Sequence, residues 1–313
     1  NLRDSLGNPI LNYEGNWRDI FQNWEALAMS YPSYTTGMIS KFVNATSCDG
    51  FNPYRITRSG LDWEIPEPEN PWSNIGYWND HQIIYLCKLL ELQNQLDPEA
   101  LKDLLNKALF TTANIPYHIK TYNDVEKNPR DTIVFDYDLN DKITKDQTKY
   151  GTDAKLMNKD GNPYLVTLTS KLLQLVLTKL ANFVPGGGIW LNTQRPEWND
   201  ANNALAGYGL SMVTTSYLRR MLNFLKEIYS STENDSFDIP KTEKEFFNNI
   251  KSIYAKTKPE DTQTEKGRAE FTRACGTAFE KERKAFYKDY ALLKKTTSLK
   301  KDELLSAIDI FME

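Results

Sequence analysis

The sequence predicts a mainly α-helical protein in which helical hairpins surround a cavity. Apolar residues recur at helical spacing along most of the 313 residues. Apolar segments alternate with long polar or Pro-rich connectors, which in compact helical proteins often carry function. Aromatic residues make up 12% of the chain, and its seven Trp stand mostly beside Asn, Asp, Glu or Arg. That neighbourhood is typical of clefts that stack on a ring and hydrogen-bond its polar groups.

The apolar spacing predicts a series of helices before residue 230. Pro98 suits a first helical turn, and Asp200 is well placed to cap the last and longest of these helices. The predicted helices cover residues 17–28, 36–45, 78–96, 98–109, 165–183 and 201–229.

The connectors divide the chain. Residues 49–77 contain four Pro and are expected to lack regular structure, and residues 123–163 are a polar excursion with weak strand signals at 132–135. The sequence predicts a core over residues 1–230. It predicts a Lys/Glu-rich, polar helical C-terminal appendage or subdomain over residues 231–313, which has modest apolar faces and no Trp.

Charge and cysteine content favour some classes of protein over others. The net charge of −4 argues against binding to nucleic acid or to an anionic membrane surface, since phosphate contact needs a positive face. No apolar run approaches the roughly 20 residues that span a bilayer. Three scattered Cys and two His predict neither a disulfide framework nor a metal site. A cytoplasmic protein is the simplest expectation, and the start at Asn1 suggests a fragment of a longer protein.

The segment at 196–200, Pro-Glu-Trp-Asn-Asp, is the most informative motif for chemistry. It follows the Gly-rich break at 186–188, which has no predicted strand before it and so is not a dinucleotide fingerprint. Glycosyl transfer needs a carboxylic acid at the leaving oxygen, and Glu197 and Asp200 are the candidates, with Trp198 as a stacking face. The alternative is that Asp200 only caps a helix.

Three further groups are candidate binding sites. Trp17, Arg18 and Asp19 combine a stacking face, a guanidinium and two acceptors; alternatively they form an ordinary helix start with a surface ion pair. The connector at 49–77 carries aromatic and charged side chains on a segment stiffened by proline, which suits ligand binding; alternatively, it only covers one end of the fold. Asp80, near a helix start, either anchors a ligand or is an ordinary first-turn carboxylate. The candidates in these last two groups are Arg55, Arg58, Trp72 and Asp80.

Taken together, these motifs resemble those of the cellobiose and chitobiose phosphorylases over residues 14–230. The resemblance rests on Trp-Asn-Asp at 198–200, Arg-Asp at 18–19 and Arg-x-x-Arg at 55–58. It implies an (α/α)6 barrel, incomplete here because only about four hairpins can be counted.

The same resemblance implies roles for individual residues. Asp200 is then the general acid and Trp198 contacts the sugar in the cleaved subsite, while Glu197 stands where the family has Asp. Arg18 and Asp19 match the family's Arg-Asp pair. Arg55 or Arg58, together with Asp80, matches its sugar-binding residues. Inorganic phosphate is an implied co-substrate, and no cofactor is expected.

The leading hypothesis is an inverting glycoside phosphorylase or hydrolase that acts on an oligosaccharide, with Asp200 as the acid. In the hydrolytic case, the candidate bases are Asp62, Glu64 and Asp80. Two alternatives stay open: a non-catalytic carbohydrate-binding module, and a purely structural helical fragment.

Overall fold

The computed structural model describes residues 3–10, 14–67, 69, 78, 80–192 and 209–313. Within these ranges the chain forms eleven α-helices and a few short strands, so the protein is mainly helical, as predicted. The helices, α1 to α11, are Trp17–Ser30, Thr35–Asn44, Asp80–Leu96, Pro98–Leu104, Tyr122–Lys127, Tyr137–Tyr150, Leu168–Leu180, Met212–Ser231, Lys241–Lys256, Glu265–Lys288 and Lys301–Met312. None of these helices is long and apolar enough to cross a membrane.

Helix α7 lies at the centre of the packing. All of its residues are buried, which explains the dense run of Leu and Val in this segment. Thr167 caps its start by accepting a hydrogen bond from the Ser170 backbone N–H. Helices α2, α8 and α9 contact α7. A series of pairwise contacts runs from α2 through α3, α8 and α11 to α9.

The strands are short and pair antiparallel, and they mainly fix the connectors between helices. The longest pair runs over five residues, from Ser236↔Lys300 to Pro240↔Thr296. The strands, β1 to β13, are Glu14–Asn16, Arg55–Thr57, Gly60–Asp62, Ala108–Phe110, Tyr117–Ile119, Ile133–Phe135, Asn158–Lys159, Asn162–Pro163, Val166–Thr167, Phe183–Val184, Gly188–Ile189, Ser236–Pro240 and Thr296–Lys300.

Residues beyond 230 share a hydrophobic core with the residues before it. Tyr229 on α8 meets Phe237 on β12 edge to face, with ring centroids 4.9 Å apart. Phe247 and Ile250 on α9 are fully buried, and α9 packs against α7. The division at residue 230 stays a prediction, and the side chains on its two sides form one buried cluster.

Several local predictions were wrong. The connector at 49–77 contains the β2–β3 hairpin, and a short strand, β10, precedes the glycines at 186–188. Helix α4 ends at Leu104 because the chain then enters β4, which pairs with β9. The helix predicted over 201–229 begins only at Met212, because Ser211 bonds to Ile189 through its backbone and caps α8 with its side chain. Residues 193–208 lie outside the described ranges.

Candidate functional site

The residues predicted to do chemistry fall outside the described part of the chain. Glu197, Trp198 and Asp200 belong to the segment 193–208, and Trp72 belongs to 70–77. The side chains of Arg18 and Asp80 are also outside it, although both residues lie at the start of described helices. Their proposed roles stay predictions. The site is therefore built from the residues around them.

Trp17 opens α1, and its ring is wholly buried. The ring packs edge to face against Phe42, with ring centroids 5.4 Å apart. The Trp17 backbone N–H donates to the Tyr54 carbonyl at 2.9 Å. Asp19, two residues later, is exposed. The structure therefore favours the core-packing interpretation of Trp17, since no face of the ring is open to a ligand.

Arg55 lies on β2 between two carboxylates. Its Nε contacts Asp62 Oδ2 at 2.5 Å, and its Nη1 contacts Glu14 Oε1 at 2.9 Å. The hydrogen bond to Asp62 raises the pKa of the Arg55 guanidinium. These pairs fasten β1, β2 and β3 together at the surface, where such contacts contribute under about 1 kcal/mol. Arg58 is exposed in the turn between β2 and β3.

The three glycines at 186–188 build a tight hairpin. Pro185 and Gly186 occupy the central positions of a type II turn: Gly186 has φ +75°, and Gly187 N–H donates to the Val184 carbonyl at 3.0 Å. A Cβ at Gly188 would lie 3.0 Å from the Ser211 carbonyl oxygen, so the hairpin lies close against the start of α8.

This hairpin holds Trp190 in a fixed position. The Trp190 backbone N–H donates to the Asn182 carbonyl at 2.9 Å, and Asn182 Nδ2 donates to the Trp190 backbone carbonyl at 2.9 Å. The chain then continues through Asn192 and leaves the described range. The segment that carries Glu197 and Asp200 thus starts directly after a rigid anchor.

Trp190 lines a cavity of about 350 Å³, which we call the Trp190 pocket. It lies between the end of α7, the β10–β11 hairpin, α5 and α10. Most of its wall is aromatic or aliphatic, with a few polar side chains. Its lining includes Ile119, Tyr122, Val125, Glu126, Pro129, Ala181, Asn182, Phe183, Val184, Trp190, Asn192, Arg268, Ala269, Thr272, Gly276, Phe279 and Arg283.

Tyr122 forms one wall because α10 has a glycine opposite it. A Cβ on Gly276 would lie 2.1 Å from the Tyr122 ring, so the ring packs directly on the helix backbone. The Tyr122 backbone N–H donates to Glu280 Oε2 at 2.6 Å, which fixes α5 against α10. Burial raises the pKa of the Tyr122 hydroxyl, so this group stays a neutral donor.

Two polar side chains of the pocket are almost fully buried. Asn192 is 1% exposed, and its Nδ2 has no hydrogen-bond partner among the residues that the structure describes. Arg283 is 2% exposed and donates through Nη2 to the Lys120 carbonyl at 2.6 Å and weakly through Nε to the Ile119 carbonyl at 3.5 Å. Burial lowers the pKa of this guanidinium, but arginine stays charged in proteins.

Among the described lining residues, Glu126 is the only carboxylate. Its Oε2 lies 2.5 Å from Arg273 Nη2, so this carboxylate is engaged in an ion pair with a residue outside the lining. The described wall of the pocket therefore offers a stacking surface and hydrogen-bond donors, and an acid for glycosyl transfer must come from elsewhere in the chain.

A buried polar cluster connects the pocket to Trp78. Asp49 accepts hydrogen bonds from Ser47 Oγ at 2.5 Å and from the Tyr287 hydroxyl, and its backbone carbonyl accepts from Trp78 Nε1 at 2.7 Å. Lys179, near the end of α7, donates to the Trp78 carbonyl at 2.7 Å, with its ammonium 3.3 Å from the centroid of the indole ring. Burial raises the pKa of Asp49, and its hydrogen bonds oppose this effect. The cluster fixes the backbone at Trp78, two residues before Asp80.

Sequence analysis missed the residues that matter most in this region: Asn192, Arg283 and Tyr287. Arg283 and Tyr287 lie on α10, and in the sequence they do not stand out from the other residues of this Lys/Glu-rich helix. The sequence contains one weak indication that Arg283 is buried: it shares a helix face with the apolar residues Phe271, Phe279 and Phe286.

No protein-family model matches this chain, and no curated protein matches it in sequence. In the part of the chain that the structure describes, no group of three or more His, Cys, Asp or Glu is arranged to hold a metal ion. The three cysteines are free and buried.

Proposed function

We propose that this protein is an inverting glycoside phosphorylase or hydrolase that binds a sugar of an oligosaccharide in the Trp190 pocket. Asp200 protonates the glycosidic oxygen, Trp198 stacks on the sugar, and phosphate or an activated water attacks the opposite face of the ring. The proposal includes the incomplete (α/α)6 barrel that the sequence predicts.

One observation carries this proposal: the acidic motif begins directly after the pocket wall. Asp200 lies eight positions after Asn192, and an extended chain of that length spans at most about 28 Å. A carboxylate of the motif is therefore within reach of the pocket mouth. The pocket itself offers aromatic faces and donors but no available acid among its described residues, and Glu197 or Asp200 would supply that missing group.

The decisive experiment is a product assay on a panel of disaccharides, with and without inorganic phosphate. We expect cleavage by the wild-type protein and a loss of at least about 100-fold in turnover for Asp200→Asn, because general acid catalysis contributes about 10²–10⁴-fold. Binding of the disaccharide should persist in that variant. Asp103→Asn is the matched control, since Asp103 is an exposed carboxylate on α4. An active Asp200→Asn variant would contradict the assignment.

A carbohydrate-binding module without turnover is the second candidate. Two observations support it. Glu126, the one carboxylate among the described lining residues, forms an ion pair with Arg273, and the Trp17 side chain is buried in the core. It predicts saturable oligosaccharide binding by the wild type and no product with any sugar of the panel, whether or not phosphate is present.

A further inference from the structure

The Trp190 pocket contains a buried positive charge that no described carboxylate contacts directly. Arg283 forms no ion pair within the described chain, and its two hydrogen bonds go to backbone carbonyls. Asp49 and Glu280 attract the guanidinium from a distance, but their own contacts are with other groups: Asp49 accepts from Tyr287, and Glu280 pairs with Lys284 and accepts from Tyr122. Buried charges in proteins are usually paired, because an isolated charge loses its hydration without compensation.

Arg283 also has hydrogen-bonding capacity to spare. Its Nη1 makes no hydrogen bond to any described residue, and the two bonds that exist use only Nε and Nη2. Its Cζ lies 4.9 Å from the centroid of the Phe279 ring, which also lines the pocket. A planar guanidinium with free donors at a cavity wall suits a carboxylate, which can accept two parallel hydrogen bonds.

Asn192 gives an independent indication of a bound acceptor. Its Nδ2 is buried and has no partner in the described part of the chain, although leaving a buried donor unsatisfied costs about 1–3 kcal/mol. Asn192 and Arg283 are both lining residues of this one cavity. The unsatisfied amide and the unpaired guanidinium therefore call for the same kind of ligand group, an oxygen acceptor with negative charge.

The charge of the wall favours an anion as well. The lining contains two guanidiniums, Arg268 and Arg283, against the single carboxylate of Glu126, which Arg273 already neutralises. Arg268, like Arg283, donates to backbone carbonyls, those of Thr262 and Gln263. The described lining thus has a net positive charge inside a protein whose overall charge is −4.

The rest of the pocket suits a single ring. Its volume of about 350 Å³ is at the low end for ligand sites, and Trp190, Tyr122 and Phe279 supply flat apolar faces. We infer that the Trp190 pocket binds an acidic sugar, a pyranose with a carboxylate of the hexuronic acid type, whose carboxylate meets Arg283 and Asn192. The sugar ring in this inference rests on the proposed function; the carboxylate rests on the two buried donors.

Isothermal titration calorimetry on the full chain tests the inference with three small ligands: methyl β-glucuronide, methyl β-glucoside and inorganic phosphate. We expect the glucuronide to bind at least about 10-fold more tightly than the glucoside, because hydrogen bonds to a charged group are the stronger ones. Phosphate alone should bind more weakly than the glucuronide. Equal affinity for glucuronide and glucoside, or binding of phosphate with no binding of the glucuronide, would overturn the inference.

Two variants locate the effect. Asn192→Asp puts a negative charge on the pocket wall, where it repels an anionic ligand, and should remove the preference for the glucuronide. Arg283→Gln should do the same. Arg283→Gln also loses two hydrogen bonds to backbone carbonyls. If Arg283→Gln does not fold, the result for Asn192→Asp decides whether the inference holds. Arg220→Gln is the matched control, an exposed Arg on α8 paired with Glu91, and should keep the preference. A preference that survives Asn192→Asp would contradict the inference.

The outcomes separate the inference from the proposed function. Turnover of a neutral disaccharide with no preference for the glucuronide would support the function and overturn the inference. Binding of the glucuronide without cleavage of any glycoside would support the inference and leave the binding-module candidate. Binding of none of the three ligands, with no turnover, would overturn both.

Discussion

At the scale of single residues, burial decides what a motif can do. The Trp residues stand beside polar neighbours in the sequence, which predicted sugar-facing rings. Trp17 and Trp78 are instead fully buried, and Trp78 satisfies its indole N–H on the Asp49 carbonyl. A polar neighbour in sequence lies on another face of a helix or loop. The neighbour therefore says little about the surroundings of the ring itself.

The close approach of Tyr122 to Gly276 predicts a local loss of stability. A Cβ in Gly276→Ala would lie 2.1 Å from the Tyr122 ring, so the ring must move and the pocket wall moves with it. We expect a loss of about 1–3 kcal/mol in the free energy of unfolding, measured in urea. Gly37→Ala on α2 is the control. Its Cβ meets nothing within 4 Å, and the change should be neutral or stabilising by up to about 1 kcal/mol. A stabilising effect at Gly276 would contradict the close packing.

A buried carboxyl group predicts a pH-dependent stability. Burial raises the pKa of Glu243 on α9 to about 8, partly opposed by a hydrogen bond from Ser170 and by Lys171. The folded state then holds a proton on Glu243 between pH 4.5 and 8 that the unfolded state has released. This contribution is full below pH 4.5 and is lost as pH rises to about 8. Lys171, whose burial lowers its pKa to about 7, contributes with the opposite sign between pH 7 and 10.5.

Glu243→Gln should therefore remove a pH-dependent loss of stability. Glutamine stays neutral, so the difference between variant and wild type should shift in favour of the variant from pH 5 to 7, by at most about 1.4 kcal/mol per pH unit. Urea unfolding at pH 5, 6 and 7 measures it. Glu245→Gln on the same helix, an exposed carboxylate near Lys281, should show no such trend. A constant difference at all three pH values would show that Glu243 is ionised throughout.

At the scale of elements, caps and turns place the chain more sharply than apolar periodicity does. Periodicity predicted a helix over 201–229, whereas α8 begins at Met212 after the Ser211 cap. The helix start is set by the hydrogen bonds between Ser211 and Ile189, which join α8 to the β10–β11 hairpin. Such a contact lies 22 residues back along the chain, which is beyond any local spacing rule.

The cap at Ser211 gives a test of this helix start. Ser211 Oγ accepts from the Thr214 backbone N–H at 3.1 Å, so Ser211→Ala should reduce the free energy of unfolding by about 1 kcal/mol. Ser216→Ala, an exposed serine inside α8 whose hydroxyl donates to Met212, should change it by less than about 0.5 kcal/mol. Equal effects of the two substitutions would mean that α8 starts elsewhere.

At the scale of the whole molecule, residues 231–313 are part of the main core. They contribute large buried side chains whose burial stabilises the fold by about 1.5–3 kcal/mol each, against a typical total stability of about 5–15 kcal/mol. These include Phe237, Ile239, Phe246, Phe247, Ile250, Phe271, Phe279, Phe286, Leu299, Leu304 and Ile308. Three of them, Phe271, Phe279 and Phe286, belong to the same helix as Arg283, so α10 connects the core to the pocket.

Truncation tests whether the two parts depend on each other. A chain that ends at residue 230 would expose α7 and the Tyr229 ring, which Phe237 covers. We expect this truncated chain to lose cooperative thermal unfolding when followed by circular dichroism, while the full chain melts in one transition. A truncated chain with a sharp transition at the full-length temperature would establish the predicted division at 230 as a true domain boundary.

The sequence by itself determined the class of the fold and most of its helices, because apolar spacing is a local property that survives in the folded chain. It also identified the acidic motif at 196–200, and that motif's role stays a prediction. Only the tertiary structure decided which rings are buried, why Gly186 and Gly276 are glycines, and that Arg283 and Asn192 line the same pocket. Those two residues are 91 positions apart, and contacts between distant segments depend on how whole helices pack. No local pattern encodes that packing.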